Sequence, residues 1–331
     1  MLYYGSEGDT AKELKKTLGY EDAGVTDELL HETFSAFLKN LLRAGRFPNG
    51  TVIQSTNAIV ANKSIDLTPE FRRKIKEWYE ASVREVDFTK NADAIVRGVN
   101  DWIKNQTHGK MNTLITELNP TTLMILLNAM YFKGAWKTPF EKNKTSPQFF
   151  FNNGRESEKK NSPFTNDSYS ENDDLKAAQL PFKGDGVVML IVLPNKRCQL
   201  KSTEKSVTPK NLLTNDQGLQ EKTVDIFPPK FKFEKDFTSV LKQFGTKKTS
   251  DRDVDDFSES SFRNNTDVGR LVNKVDSIIE GKTSEVSGTT EIIDGNEVPQ
   301  EITVNHPFLF LIVEKGSGSD WIIFLGSINN L

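Results

Sequence analysis

Residues 122–132, read TLMILLNAMYF, constrain this chain more than any other stretch. The run is of strand length and almost without a polar break, and it lacks the alternation of a strand with one face in water. It predicts a strand buried on both faces, in the middle of a sheet with a layer on either side. The run continues into Lys133-Gly134-Ala135-Trp136 and then Pro139-Phe140, where Gly and Pro favour a turn and Trp136 supplies a large body for burial.

Further strands are expected at Phe149–Phe151, Ala177–Leu193 and Leu271–Ile279, the clearest being Val187 to Pro194. Val224 to Pro229 and Lys230 to Phe233 read as edge-strand material. Pro307 to Glu314 and Trp321 to Ile328 read as an apolar hairpin joined by Lys315–Asp320. Helices are expected between them. One starts near Asp9 and Thr10, either of which offers a capping oxygen, and stops at Gly19. Another spans Thr26 to Leu42, with Leu29, Leu30, Phe34, Phe37, Leu38, Leu41 and Leu42 as its apolar stripe. A third begins at Thr68-Pro69, and a fourth runs from Asn91 to Gln106 with Ile95, Val99, Trp102 and Ile103 on one face. Lys201–Leu219 and Phe237–Phe244 read as helical, and Asp251–Glu259 as an acidic loop without EF-hand spacing. A length of 331 residues suggests about two domains. Neither a linker nor an internal repeat divides residues 1–331.

Composition removes several classes of function. A net charge of -3 gives no general attraction for nucleic acid, and no apolar run reaches the roughly 18–20 residues of a membrane span. The single cysteine, Cys198, can form no internal disulfide or cysteine-based zinc cluster, and reads as an inert structural thiol. Neither Gly-x-Ser-x-Gly nor a phosphate-binding loop occurs, and His31, His108 and His306 have no evident nucleophile beside them. No catalytic residue, metal or cofactor is therefore indicated. The basic tips Lys39, Arg43 and Arg46 could meet a sulfated glycan, against the plainer reading of a solvated face. Asn49, Asn62, Asn105, Asn143, Asn166 and Asn264 lie in Asn-x-Ser/Thr tripeptides, glycosylation acceptors if the chain is secreted. That pattern leans toward an extracellular setting, with a cytoplasmic one as the alternative.

Lys282 to Pro299, KTSEVSGTTEIIDGNEVP, stands apart. A connection this long inside a compact chain is either functional or disordered. Its Ser, Thr and Val suit a strand, yet Gly281, Gly288, Gly295 and Pro299 interrupt it. It reads as bait: a segment offered for cutting.

The order of motifs resembles one family, the serpins. Asn128-Ala129-Met130-Tyr131-Phe132-Lys133-Gly134-Ala135-Trp136 with Pro139-Phe140 resembles the family's central-sheet strand and following turn. Asn100-Asp101-Trp102-Ile103, Thr107, Gly109-Lys110 and Leu114-Ile115 resemble its preceding helix, and Phe227-Pro228-Pro229-Lys230-Phe231 is similar to its Leu-Pro-Lys-Phe segment. Ile302 to Ile312, containing His306, Pro307 and Phe308, looks like its C-terminal signature, closed by Phe324-Leu325-Gly326.

The resemblance implies an α+β single domain, helices around three β-sheets, with an exposed reactive loop at about residues 280–301. It implies a monomeric suicide substrate for a serine, or sometimes cysteine, endopeptidase. The protease forms its acyl-enzyme on the loop, which then inserts as an extra strand in the largest sheet and deforms the oxyanion hole before hydrolysis. The alternative is a non-inhibitory member that binds partners through the same scaffold. Met1-Leu2-Tyr3-Tyr4-Gly5 reads as the end of a buried helix, so the family's first helix and serine-bearing element, with any secretion signal, would lie upstream.

The family's usual spacing back from Asn305-His306-Pro307-Phe308 places the scissile bond at Asn296–Glu297 and the hinge acid at Glu280. The hinge then runs Gly281, Lys282, Thr283, Ser284, Glu285, Val286, Ser287, Gly288, Thr289 and Thr290, with Lys282 where a Gly is usual and Glu285 where a small residue is usual. Asn273 stands where the family's central strand carries a histidine, and the strand up to Glu280 is slightly short. On insertion in that register Thr283, Glu285, Ser287, Thr289 and Glu291 would face the core, burying two unpaired carboxylates. Shifted by one, Ser284, Val286, Gly288, Thr290 and Ile292 face inward. The second register is physically better and moves the cut toward Glu297–Val298. Neither bond suits a trypsin-like pocket, which requires a cation. A cut after Asp294 would instead suit an Asp-specific protease.

Overall fold

The computed structural model describes residues 1–21, 24–42, 51–90, 92–109, 111–119, 122–138, 146–155, 159–162, 165–171, 174–184, 186–208, 222–229, 232–236, 270–278, 300–316 and 320–331. The chain weaves between two compact units. One holds Met1–Arg46, Ile53–Phe132 and Phe233–Ser277; the other holds Phe47–Val52, Lys133–Lys232 and Ile278–Leu331.

In chain order the first stretch forms α1 (Gly8–Thr17), α2 (Asp27–Leu41), β1 (Val52–Asn62), α3 (Pro69–Tyr79), β2 (Ser82–Val86), α4 (Ala92–Gln106) and β3 (Met124–Lys133). Two starts follow their local chemistry. Thr26 accepts from the Leu29 N–H at 3.3 Å and Thr68 from the Phe71 N–H at 3.1 Å, with Pro69 in the first turn of α3. The expected cap on α1 is not made by Asp9 or Thr10: Glu7 is the N-cap position and makes no side-chain capping bond, Asp9 lies within the first turn, and Thr10 is buried.

The next stretch forms β4 (Ser146–Phe149), β5 (Lys159–Ser162), β6 (Thr165–Glu171), β7 (Leu175–Pro181), β8 (Val187–Pro194), α5 (Leu200–Ser206) and β9 (Lys222–Phe227). Then come β10 (Lys232–Asp236), β11 (Arg270–Ile278), β12 (Gln300–Thr303), β13 (Phe308–Glu314) and β14 (Trp321–Ile328). Three sheets result: β10-β11-β3-β1-β2, β12-β9-β6-β7-β8-β13-β14, and the pair β4-β5. The architecture is mixed α+β. The segments 237–244 and 251–259 lie outside the described residues.

In the five-stranded sheet, β1 and β2 run parallel through the α3 crossover, from Ala58 opposite Ser82 to Asn62 opposite Val86. Ile59 and Ala61 pack with Phe71, Ile75 and Trp78 of α3 and with Met124 and Leu126 of β3. Both faces of β3 are buried, as its composition demands. The stripe foreseen on α2 is only half used. Leu29 and Phe34 are exposed, while His31 and Ser35 are buried. The reason is that α2 packs against the end of α3, where Ser35 Oγ donates to the Glu77 carbonyl.

The seven-stranded sheet has its core along β7, β8 and β13, where Ala177, Val192, Leu311 and Leu200 of α5 pack together. Strand β9, foreseen as an edge, is interior, because β12 pairs with it in parallel on the side away from β6. The C-terminal hairpin sets Phe310 opposite Gly326. A Cβ at Gly326 would lie 2.6 Å from Phe310 Cε1, inside contact distance of a ring that is itself buried. Gly326→Ala is therefore expected to overpack this hairpin and cost about 1–3 kcal/mol, read as a lowered midpoint in urea unfolding with an unchanged m-value.

Candidate functional site

The segment expected to be the reactive loop connects the end of β11, in the five-stranded sheet, to β12, in the seven-stranded one. Residues 279–299 lie outside the described residues, so Glu280 to Thr290, Asn296 and Glu297 have no geometry here. Their two anchors do. Strand β11 lies between β10 and β3, and β12 is held against β9 from Gln300 opposite Val224 to Thr303 opposite Phe227. The largest sheet among the described residues is the seven-stranded one, but the N-terminal end of the loop is continuous with the five-stranded one.

Several motif residues act as clamps on the scaffold. Asn100 of α4 takes the Leu114 N–H at 2.7 Å and the Ile115 N–H at 3.1 Å, and donates to the Ile115 carbonyl at 2.8 Å. Thr107 donates to the Ile103 carbonyl at 2.8 Å and accepts from the Met111 N–H at 3.0 Å. Together they tie the segment entering β3 to α4. His108 is exposed in the turn between them, at a left-handed φ of 50°. After β3, Gly134 is buried and Trp136 stacks on Phe182 with centroids 4.5 Å apart. In the C-terminal signature His306 is buried, with Nε2 donating to the Pro194 carbonyl at 2.8 Å and Nδ1 at 2.9 Å from the Asn305 side-chain amide. Burial lowers its pKa, which keeps the ring neutral and committed to β8. Pro307 and Phe308 are buried beside it, with Phe308 edge-on to Phe150.

From the five-stranded sheet to α2 runs a polar chain that sequence reasoning did not find. Asn128 of β3 donates to Asn57 Oδ1 of β1 at 2.7 Å, and Asn57 donates to the Tyr79 carbonyl at 2.8 Å. The Tyr79 hydroxyl stands 2.7 Å from His31 Nδ1. Burial raises the pKa of Tyr79, so its hydroxyl keeps the proton and donates it to His31. Burial also lowers the pKa of His31 to about 4, and its ring stacks on Trp78. The one signal available was a histidine inside the apolar stripe of α2, a weak sign without knowledge of what packs there.

The remaining expected residues scatter. Asn105 is exposed in the last turn of α4. Asn62 is buried, its side-chain oxygen accepting the Ser64 N–H at 3.0 Å. Asn166 lies in β6 without a described side chain, and Asn49, Asn143 and Asn264 lie outside the described residues. Lys39 is exposed, while Arg43 and Arg46 are not described. On α3, Arg72 pairs with Glu85 and Arg73 with Glu77, and Lys74 sits over Trp78. Cys198 is exposed rather than buried, and the adjacent Arg197 lies over the Phe151 ring. Among the described residues no three His, Cys, Asp or Glu side chains converge as a metal site, and no helix is long and apolar enough to cross a membrane.

Comparison with known proteins accounts for this arrangement. Residues 1–331 match the model of the family Serpin (serine protease inhibitor). The chain belongs to the serpin family. It is 29% identical over 342 residues to Iripin-3 of Ixodes ricinus, covering 100% of this chain and 86% of that protein. It is 30% identical over 347 residues to intracellular coagulation inhibitor 2 of Tachypleus tridentatus, covering 100% of this chain and 82% of that one. Uncleaved ovalbumin superposes with a TM-score of 0.86 at 21% identity, over 100% of this chain and 89% of the other, which establishes the fold.

The buried His31 ties stability to pH. Its pKa is about 4 in the folded protein against about 6.5 in an unfolded chain. Between those values the unfolded chain binds the extra proton, so this contribution is complete above about pH 6.5 and falls as pH drops toward 4. Thermal melts from pH 7 to 4 are expected to show a falling midpoint. His31→Gln removes that group's titration and flattens the slope; an unchanged slope would count against the assignment.

Proposed function

We propose that this chain is a suicide-substrate inhibitor of an endopeptidase, working as a single serpin domain with residues 280–301 as its reactive loop. The observation that carries the reading is topological. The loop grows directly out of β11, a neighbour of the doubly buried β3 in the five-stranded sheet, and its far end is held separately by β12. Cutting between those anchors frees the N-terminal arm to add as a strand between β11 and β3 once that pair parts, since β10 already holds the other edge of β11. Serpin loop insertion is itself a standard instance of strand addition and of stored strain released by proteolysis. The arm gains backbone pairing and side-chain burial. The attached protease, still an acyl-enzyme, loses the alignment of oxyanion hole and triad that deacylation requires.

The inserted register places Ser284, Val286, Gly288, Thr290 and Ile292 toward the core and leaves Glu285 and Glu291 in water. It sets the cut at Glu297–Val298, beside Asn296–Glu297. Both bonds favour a serine or cysteine endopeptidase that accepts Asn or Glu over one of the trypsin type.

Incubation with a panel of such proteases is expected to yield a denaturant-stable covalent complex and a released C-terminal peptide starting at Glu297 or Val298, identified by mass spectrometry. Cleavage without complex and without a rise in thermal stability would exclude trapping and leave a non-inhibitory binding protein, for which Lys282 and Glu285 in the hinge already argue.

The register is tested separately. Val286→Glu would bury a charge and turn the chain into a plain substrate, whereas Glu285→Ala leaves the stoichiometry of inhibition nearly unchanged. The reverse pattern would assign the other register.

A further inference from the structure

The unit that holds the five-stranded sheet contains a cleft of about 390 Å³ between α4 and strands β1, β2 and β3. Its walls are apolar: Val60, Leu127, Ile95, Val99 and Trp102 line it. Part of the space exists because α4 carries a glycine. A Cβ added at Gly98 would meet nothing within 4 Å, and Gly98 is not among the glycines with positive φ. Neither a turn nor a close approach requires glycine there, and glycine is unfavourable inside a helix. Its effect is to keep the cleft open.

The mouth has a definite charge. Glu85 faces Arg72 at 2.6 Å, and Asp87 is taken by the Thr89 N–H, the Thr89 hydroxyl and Lys90. Each of those carboxylates thus has a counter-charge, although the buried Glu85 Oε1 makes no hydrogen bond. Lys63 and Arg84 also line the cleft and are exposed, and among the described residues neither side chain has a hydrogen bond or an ion pair. An apolar slot of drug-like size with two uncommitted cations at its rim selects a ligand with a hydrocarbon body and an anionic head.

We propose that this cleft binds an amphipathic organic anion of the fatty-carboxylate class, the chain lying along Val60, Val99 and Trp102 and the head group meeting Lys63 and Arg84. The site is distinct from the reactive loop and does not depend on whether the chain traps a protease.

Calorimetric titration of the full chain with decanoate, decanol and decyltrimethylammonium at 0.15 M salt tests it, each kept below its solubility or micellar limit. Decanoate is expected to bind one per chain, and the neutral and cationic analogues about tenfold or more weaker, the effect of two rim cations. The double variant Lys63→Ala/Arg84→Ala is expected to bring decanoate to the level of decanol, and Gly98→Leu to remove binding of all three while the thermal midpoint holds or rises. With 2-bromodecanoate, quenching of tryptophan fluorescence is expected in the wild-type chain and is lost in Trp102→Phe. Equal affinity for the three head groups, binding that survives Gly98→Leu, or no heat up to about 1 mM decanoate, the weak end of specific affinity, would overturn the proposal.

Discussion

A strand with no face toward water can satisfy its backbone only through its lateral neighbours, and β3 is that strand here. The consequence spreads outward in steps. Strands β1 and β11 must lie on its two sides, α3 must cover one face through Phe71, Ile75 and Trp78, and α4 must lie over the cleft that Leu127 lines on the other. The clamps at Asn100 and Thr107 acquire their purpose from the same requirement, since they deliver the chain from α4 into β3 at a set position. The serpin fold of this unit is in that sense built around one run of apolar residues.

Asn128 is the exception inside the run. A side-chain amide in such a place is costly unless bonded, and the fold answers with the relay through Asn57 and Tyr79 to His31. The relay joins β1, β3, α3 and α2 by directional bonds where apolar packing alone would leave their relative positions less strictly defined. It also ends on an ionisable ring kept neutral by burial, which is why a structural network acquires a dependence on acidity.

The reactive loop proposed at residues 280–301 would carry two demands at once. As bait it must be soluble, and as a strand it must present small or apolar side chains to one face. The segment from Thr283 to Ile292 meets both only in the register that sends its glutamates outward. Lys282 and Glu285 show how narrow that margin is. The strand addition proposed for this chain therefore turns on alternation, a property of pairs of residues rather than of overall polarity.

Much of this was readable from the residues alone. The central strand, the C-terminal hairpin, the helix starts at Thr26 and Thr68 and the family itself all follow from local patterns, because periodicity is settled within a few residues of chain. Other features were not readable. The exposure of Leu29 and Phe34 beside the burial of His31, the interior position of β9 and the Asn128–Asn57–Tyr79–His31 relay depend on which distant segment arrives as a neighbour. The open space at Gly98 is of the same kind. A pattern of residues states that a face is to be buried; only tertiary packing decides what buries it, because the partner atoms come from elsewhere in the chain.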